Sequence, residues 1–377
     1  MRVYVDCVGC EQRKIDAQRI INYLKINKIE VSDSPINCDF AVLVTCGVDR
    51  ASQRASLLKL RKLLSDVNTK VIVGGCLPSL IPQLSSDPRI YASVRLHGHI
   101  VLDKIFKCKT PIIEVPRPNR TTFDKIDDVT NTLISPRQEY ERAKSGFKIV
   151  INDGCLLSCS YCSIRKATGS LKSSPLEEII KQSERANASG ESTIMLMGGD
   201  TGAYGRDIGL RFHDLLMRLL DVEGSSQLFI HDFNINWLIE EVDRYLDLFR
   251  RGEQLKIVRG ITFPIQSGSD RILKMMKRPY CSADSIGTIK QIREISPSLL
   301  IGTHIIVGFP TESIRDFRKT IRLLKECQFD FVSCFIYSDN PGTDSYRIQK
   351  KVPQKIATDR ARELTELLGN KIKIYGV

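Results

Sequence analysis

Three cysteines within eight residues, Cys155, Cys159 and Cys162, form the densest reactive cluster in this sequence. In the run Cys155-Leu156-Leu157-Ser158-Cys159-Ser160-Tyr161-Cys162 they are spaced by three and two residues. Three thiolates on one short loop can wrap a corner of an iron–sulfur cubane and ligate three of its four irons, leaving the fourth without a protein ligand. The alternative is zinc, which takes four ligands, commonly in paired Cys-x-x-Cys arrangement; no fourth Cys or His lies nearby in sequence. A second set is more widely spread. Cys10 follows the first apolar run, Cys46 ends the second, and Cys76 follows Gly74-Gly75 at the end of the third. The C-terminal ends of adjacent parallel strands share one edge of a sheet, so these three can converge on one cluster although they lie about thirty residues apart. Taken singly, each also fits a buried small apolar residue, and Cys7 competes with Cys10 for the first place.

The surrounding elements decide whether such convergence is available. Up to about residue 110, apolar runs at Val3 to Val5, Phe40 to Val44 and Val71 to Val73 alternate with amphipathic stretches at Asp16 to Ile26 and Arg50 to Leu64. Strands alternating with helices read as a βαβαβ unit with a parallel sheet. From Gly146 onward, strand-like runs recur at 147–151, 193–197, 228–230, 260–264, 300–307 and 331–337. Helical stretches near 175–189, 208–222, 238–251, 269–276, 284–295 and 313–328 separate them. Six such repeats predict a parallel barrel or an incomplete one, with its chemistry at the C-terminal ends of the strands. The fold class is therefore α/β, with an N-terminal domain over 1–110, a linker over 111–145 rich in Pro, Asn, Asp, Arg and Thr, a barrel over 146–345, and a basic helix over 346–377.

At 377 residues, with 42% hydrophobic and 27% charged residues, the chain is long enough for two cored domains and too apolar for disorder. No apolar run reaches the eighteen residues of a membrane span, and Met1 to Asp6 reads as a strand instead of a signal peptide. The expectation is a soluble, cytoplasmic protein. In that compartment twelve cysteines point to ligands or buried thiols and away from a disulfide framework. Lys plus Arg number 56 against 44 acidic residues; the resulting +12 favours a polyanionic partner, although solubility alone also accounts for it.

With both cysteine sets in place, the sequence resembles the radical S-adenosylmethionine methylthiotransferases over residues 1 to about 368. The closest pattern is the archaeal and eukaryotic threonylcarbamoyladenosine tRNA methylthiotransferase type. The match rests on Asp200-Thr201-Gly202-Ala203-Tyr204-Gly205-Arg206-Asp207-Ile208-Gly209, Pro264-Ile265-Gln266-Ser267-Gly268-Ser269-Asp270, Met276-Lys277-Arg278-Pro279-Tyr280-Cys281 and Ile305-Ile306-Val307-Gly308-Phe309-Pro310-Thr311-Glu312. The resemblance implies an N-terminal methylthiotransferase domain, a radical S-adenosylmethionine (β/α)6 barrel, two [4Fe-4S] clusters, S-adenosylmethionine, and a one-electron donor such as a flavodoxin or ferredoxin. It also implies that a C–H bond is replaced by C–S–CH3. The expected course has two halves: a sulfur held at the auxiliary site would accept a methyl group from one S-adenosylmethionine, and a substrate radical, left when a 5′-deoxyadenosyl radical from a second removes a hydrogen, would capture the methylated sulfur. The linker would let the first sheet cap the barrel mouth.

Carried over by position, Cys155, Cys159 and Cys162 would hold the S-adenosylmethionine cluster, and Cys10, Cys46 and Cys76 the auxiliary cluster. Gly198, Gly199 and Asp200 would bind the methionine amino group through close backbone approach, and Tyr161 would contact adenine. Gln266, Ser267, Val307, Gly308 and Phe309 would line the cavity; for each of these, ordinary strand-end packing is the plainer explanation. The sequence departs from the family at Arg13 and Val44, where Asn is usual, at His304, where Asp is usual, and at Thr168, where Arg is expected. The resemblance leads to the expectation of a small basic C-terminal TRAM domain, of which no complete copy is read in the sequence up to Val377.

The substrate the resemblance favours is C2 of N6-threonylcarbamoyladenosine 37 in tRNA. A peptide or protein methylthiotransferase and a non-catalytic iron–sulfur RNA-binding relative are the alternatives. Lys350, Lys351, Lys355, Arg360, Arg362, Lys371 and Lys373 mark a candidate RNA-facing surface, which reads equally as a solvated helical face. His97, His99, His213 and His231 show no ligand spacing and read as structural or surface residues. His304 fits either substrate contact or packing. Cys38, Cys108, Cys281, Cys327 and Cys334 are expected as buried thiols.

Overall fold

The computed structural model describes residues 1–65, 68–124 and 135–376. They form two compact units, one of Met1–Lys125 with Cys162–Gly169 and one of Ile126–Tyr161 with Ser170–Val377. Among the described residues no helix is long and apolar enough to cross a membrane.

The first unit runs β1 (Arg2–Val8), α1 (Glu11–Ile26), β2 (Glu30–Ser32), β3 (Phe40–Thr45), α2 (Arg50–Leu63), β4 (Lys70–Gly75), α3 (Leu77–Leu80), β5 (Ile90–Arg95) and α4 (Ile100–Phe106). All five strands are parallel, in the order β2-β1-β3-β4-β5. The central strand Phe40-Ala-Val-Leu-Val-Thr45 is buried throughout, which is why its sequence is continuously apolar instead of alternating. Its Val42 and Val44 pack with Ile20, Tyr23 and Leu24 of α1 and Phe106 of α4, whereas Ala41 and Leu43 pack with Leu60 and Leu63 of α2. Helix α2 starts where the Asp49 side chain accepts from the Ser52 N–H, a standard N-cap. The sequence reading missed β2 and β5, the two edge strands.

The second unit opens with α5 (Pro136–Ser145), inside the stretch read as linker, capped by a reciprocal Ser135–Gln138 box. The rest of that stretch at 125–134 lies outside the described residues. Then come β6 (Phe147–Val150) and β7 (Asn152–Asp153), α6 (Ile164–Thr168) of the first unit, and β8 (Lys172–Ser173), which pairs antiparallel with β7. The barrel continues through α7 (Leu176–Ala188), β9 (Thr193–Met197), α8 (Phe212–Leu220), β10 (Gln227–Ile230), α9 (Ile235–Glu240), α10 (Val242–Leu255), β11 (Val258–Gln266), α11 (Asp270–Met275), α12 (Ser282–Ile295), β12 (Leu300–Val307), α13 (Ile314–Cys327), β13 (Phe331–Ile336), α14 (Gln354–Leu368) and β14 (Ile372–Tyr375). Its strands form one parallel sheet in the order β14-β13-β12-β11-β10-β9-β6. All six expected barrel strands are present. The seventh is a correction: the segment read only as a basic helix ends in β14, whose four residues, three half-buried and Lys373 exposed, are too few to show a period.

Alternation along the barrel strands sorts two faces. Ile261, Phe263, Ile265, Ile301, Ile305 and Val307 join one apolar cluster with Ile289, Ile292, Phe317 and Leu323 of the covering helices. The alternate residues Thr262, His304 and Phe335 meet one another, His231 and Tyr140 on the opposite face.

Candidate functional site

In the first unit, three cysteines follow the ends of three neighbouring strands. Val8 of β1 is level with Thr45 of β3, and Thr45 is level with Gly75 of β4, so Cys46 and Cys76 stand side by side one strand spacing apart. Cys10 caps α1 two residues beyond Val8, and its carbonyl accepts from the Lys14 N–H at 3.0 Å. Gly75, at φ +89, turns the chain into the cysteine; a Cβ there would sit 2.3 Å from the Thr45 carbonyl oxygen, so only glycine fits. Cys46 is fixed by Ser56, whose hydroxyl accepts from its N–H and donates to its carbonyl, both at 3.2 Å.

The Cys46 thiol meets both the Cys10 and the Cys76 thiol. The Cys10 thiol is pushed well above its ordinary range, first by its hydrogen bond to Cys46 and then by burial, although the residue keeps an exposed edge. At Cys46 the contact with Cys10 pulls downward, but Cys76 and burial outweigh it. The thiol of Cys76 is lowered, chiefly by Cys46. Cys7, by contrast, packs on the apolar cluster beneath α1, and burial raises its thiol. Three sulfurs at one sheet edge, with Cys46 meeting both Cys10 and Cys76, suit a cluster that takes one thiolate per iron. Among the described residues, no three His, Cys, Asp or Glu side chains surround a point suited to a single metal ion.

Beside this triad lies Arg13, 4% exposed, paired to the buried Asp16 at 3.1 Å. Its charge lowers the thiols of Cys10 and Cys76. Cys162 also belongs to the first unit, where the neighbouring Ser163 hydroxyl donates to the Gly47 carbonyl at 2.9 Å and α6 packs on α3.

In the second unit, Cys155 and Cys159 are each met by a buried polar group. The Cys155 sulfur lies 3.7 Å from Asp200 Oδ2, and Arg278 Nη1 donates to the Cys159 sulfur at 3.5 Å. Ser160, beside Cys159, is clamped: its N–H donates to the Met276 carbonyl at 3.0 Å, its hydroxyl to Met275 at 2.7 Å, and its carbonyl accepts from the Ser345 N–H at 2.8 Å. Tyr161 packs on a small cluster of Ile272, Met276, Ile306 and Phe309, and Phe309 meets Tyr337 edge-on at 5.5 Å.

The strand-end residues divide into two kinds. Gly198 and Gly199 are filled by protein: a Cβ on either would sit 2.1 Å from Asn152 Oδ1 or from the Gly154 carbonyl oxygen respectively. Asn152, which the sequence reading missed, accepts from the Gly199 N–H at 3.1 Å and donates to the Asp200 carbonyl at 2.8 Å, locking the end of β9 to the strand that feeds the cysteine loop. The Asp200 carboxylate accepts from Trp237 Nε1 at 2.8 Å and the Asn234 N–H at 3.2 Å; burial nevertheless raises its carboxyl. Gln266 is the other kind. It ends β11 at φ +75, a strained conformation for a residue with a Cβ, and its Oε1 is buried without a hydrogen-bond donor. Such an orphaned acceptor fits a ligand hydroxyl or amine. Next to it, Ser267 accepts from the Ser269 N–H at 3.2 Å.

Val307 and Gly308 end β12, where the Gly308 N–H donates to Glu312 Oε2 at 2.7 Å. Glu312 pairs in turn with Arg360 at 2.6 Å. This corrects the reading of the basic helix, since Arg360 is 7% exposed and faces inward. Lys351 is committed as well, to Asp339 at 2.7 Å and to the Ser345 and Tyr346 carbonyls. Lys350, Lys355, Arg362, Lys371 and Lys373 are exposed. Of the presumed buried thiols, Cys108 and Cys281 are only partly covered.

On the inner face of the barrel, Asp232 lies between two imidazoles, 3.3 Å from His231 Nε2 and 3.4 Å from His304 Nδ1. Tyr140 hydrogen-bonds His231 Nδ1. Burial pushes His231 down to about 4 and also lowers His304. Burial opposes the charge of Asp232, but the two imidazoles and Lys144 keep its carboxyl below the ordinary range.

Comparison with known proteins adds five findings. Residues 149–324 match the radical SAM superfamily, and residues 2–89 match the uncharacterized protein family UPF0004. A probable threonylcarbamoyladenosine tRNA methylthiotransferase of Pyrococcus horikoshii is 30% identical over 392 residues, covering 99% of this chain and 88% of that protein. The ribosomal protein uS12 methylthiotransferase RimO of a Shewanella species is 32% identical over 373 residues, covering 96% and 75%. In fold, the radical S-adenosylmethionine methyltransferase TsrM of Kitasatospora setae matches with a TM-score of 0.57 at 13% identity, over 88% of this chain and 71% of that one.

Proposed function

The chain belongs to the radical S-adenosylmethionine methylthiotransferase family, and within it we propose a tRNA methylthiotransferase acting at C2 of N6-threonylcarbamoyladenosine 37. The family works with S-adenosylmethionine and two [4Fe-4S] clusters. We assign Cys155, Cys159 and Cys162 to the cluster that binds S-adenosylmethionine, and Cys10, Cys46 and Cys76 to the auxiliary one. Residues 1–110 then serve sulfur donation and 146–345 radical generation. The observation that carries the sulfur-donor half is the placement of Cys46 and Cys76 side by side at one sheet edge, with the Cys46 thiol meeting both Cys10 and Cys76.

When bound, these groups supply one-electron cleavage of S-adenosylmethionine to a 5′-deoxyadenosyl radical and a sulfur for the substrate. The chain's own residues position and shield. Ser160 holds the loop at Cys159, Asn152 fixes the strand end carrying Gly198, Gly199 and Asp200, and the orphaned Gln266 Oε1 receives a cofactor donor. Tyr161, backed by the fully buried Phe309, offers an apolar face for a purine, and Ser267 stabilises the turn beside Gln266.

For the substrate, the tRNA reading is supported by the Pyrococcus relative and by a net charge of +12 with exposed Lys350, Lys355, Lys371 and Lys373 in the last segment. A second reading, a ribosomal protein side chain, is favoured by the 32% identity to the uS12 enzyme. One experiment separates them: anaerobically reconstituted protein is incubated with S-adenosylmethionine, reductant and either tRNA or ribosomal protein uS12, and products are weighed by mass spectrometry. An added methylthio group on tRNA alone is expected. Addition to uS12 alone selects the second reading.

A further inference from the structure

Arg278 is a buried cation with no carboxylate in ion-pair contact, although its charge acts on the buried Asp200 to which Asn234 links it. It is 8% exposed, and among the described residues no Asp or Glu lies within ion-pair distance of it. Three of its five N–H groups go to neutral acceptors: Nη2 donates to Asn234 Oδ1 and to the Pro264 carbonyl at 2.6 Å, and Nε donates to the Tyr280 hydroxyl at 2.8 Å. The Tyr280 ring centroid lies 5.1 Å from the guanidinium carbon. Nη1 points at the Cys159 sulfur, 3.5 Å away. Taking a guanidinium out of water is costly unless an anion faces it, and neutral acceptors offset only part of that cost. The one group in direct contact that can carry a full negative charge as a metal ligand is the Cys159 sulfur.

We propose that Arg278 is a positioning residue for the cluster held by Cys155, Cys159 and Cys162: its buried guanidinium faces the Cys159 thiolate, offsets the negative charge of the cluster and makes reduction more favourable. This rests on the assignment of those three cysteines in the proposed function. Charge and hydrogen bonds at the ligand sulfurs are among the main determinants of a cluster's potential. The same network reaches the neighbouring ligand, since Asn234, held by Arg278, donates through its N–H to Asp200, whose carboxylate lies against Cys155.

The test uses the full chain with Cys10, Cys46 and Cys76 replaced by Ala, so that the barrel cluster is titrated alone. Iron and sulfide per chain and the equilibrium midpoint potential are measured for Arg278, Arg278→Gln and Arg278→Lys. The glutamine variant is expected to make reduction at least tenfold less favourable, a fall of about 59 mV for one electron. The lysine variant, which keeps the charge and gives up the fork, is expected to stay within about threefold of the parent. Equal potentials for all three, or equal losses for Gln and Lys, overturn the role of charge. If the glutamine variant takes up no iron, the lysine variant decides: a threefold change or less supports the proposal and a tenfold loss contradicts it. If the parent itself takes up no cluster, the assignment of Cys155, Cys159 and Cys162 falls and the role of Arg278 with it.

Discussion

Arg360 reaches across 48 residues to donate to Glu312 at 2.6 Å, and both side chains are withdrawn from water. Glu312 also accepts from the Gly308 N–H, so the pair ties α14 to the turn that ends β12. Removing one partner of a buried pair leaves an uncompensated charge, and Arg360→Ala is expected to cost about 3–5 kcal/mol in urea unfolding. A loss under about 1 kcal/mol would place Arg360 at the surface.

Burial, only partly offset by Gly308 and Arg360, raises the Glu312 carboxyl from 4.5 to about 6. An acid raised on folding binds more protons in the folded state, so its contribution is fully present below pH 4.5 and is lost as pH rises through 6. Melting temperature should therefore fall more steeply between pH 4.5 and 6.5 in the parent than in Glu312→Gln. Parallel profiles for the two proteins would contradict this.

The departure at Arg13 is compensated by Asp16, 3.1 Å away and equally buried. Arg13→Ala is expected to destabilise the iron-free protein by about 3 kcal/mol, whereas an apolar Arg13→Met with Asp16→Leu recovers most of the loss. A double-mutant cycle by chemical unfolding measures the coupling. Additive losses would show that the two side chains act independently.

His304 stands where the family resemblance expects Asp, and the structure pairs it with Asp232 at 3.4 Å. An aspartate in its place would set two carboxylates together inside the barrel. The single change His304→Asp is expected to lower stability by about 2–4 kcal/mol, and adding Asp232→Asn to restore most of it. Thermal melts of the four proteins check the pattern; an unaffected His304→Asp would show that the carboxylate and imidazole are uncoupled.

These residues also mark what the sequence discloses and what it hides. The buried strand Phe40 to Thr45 and the helical spacing of α13 announce themselves because one or both faces are uniformly apolar. Edge strand β5, Ile-Tyr-Ala-Ser-Val-Arg, mixes polar and apolar residues because only one face is covered, and β14 has just four residues. The placement of Cys10, Cys46 and Cys76 at one sheet edge is legible from strand order, since parallel neighbours bring their C-terminal ends together. Arg278, Asn152 and Glu312 are not, because their roles depend on partners 119, 47 and 48 residues away. The run Met276 to Cys281 drew attention to Arg278 as part of a string without indicating the sulfur it meets. For the same reason the lysines and arginines of the last segment looked alike until the structure buried Arg360.

The most direct test of the account is the fate of sulfur when the early triad is broken. Anaerobically reconstituted protein and its Cys46→Ala and Cys159→Ala variants are incubated with tRNA, S-adenosylmethionine and reductant, and both 5′-deoxyadenosine and the methylthio nucleoside are quantified by mass spectrometry. The account predicts that Cys159→Ala forms neither, and that Cys46→Ala still releases 5′-deoxyadenosine but adds no methylthio group. A normal yield of methylthio nucleoside from Cys46→Ala would contradict the assignment of Cys10, Cys46 and Cys76 as the sulfur-donating site.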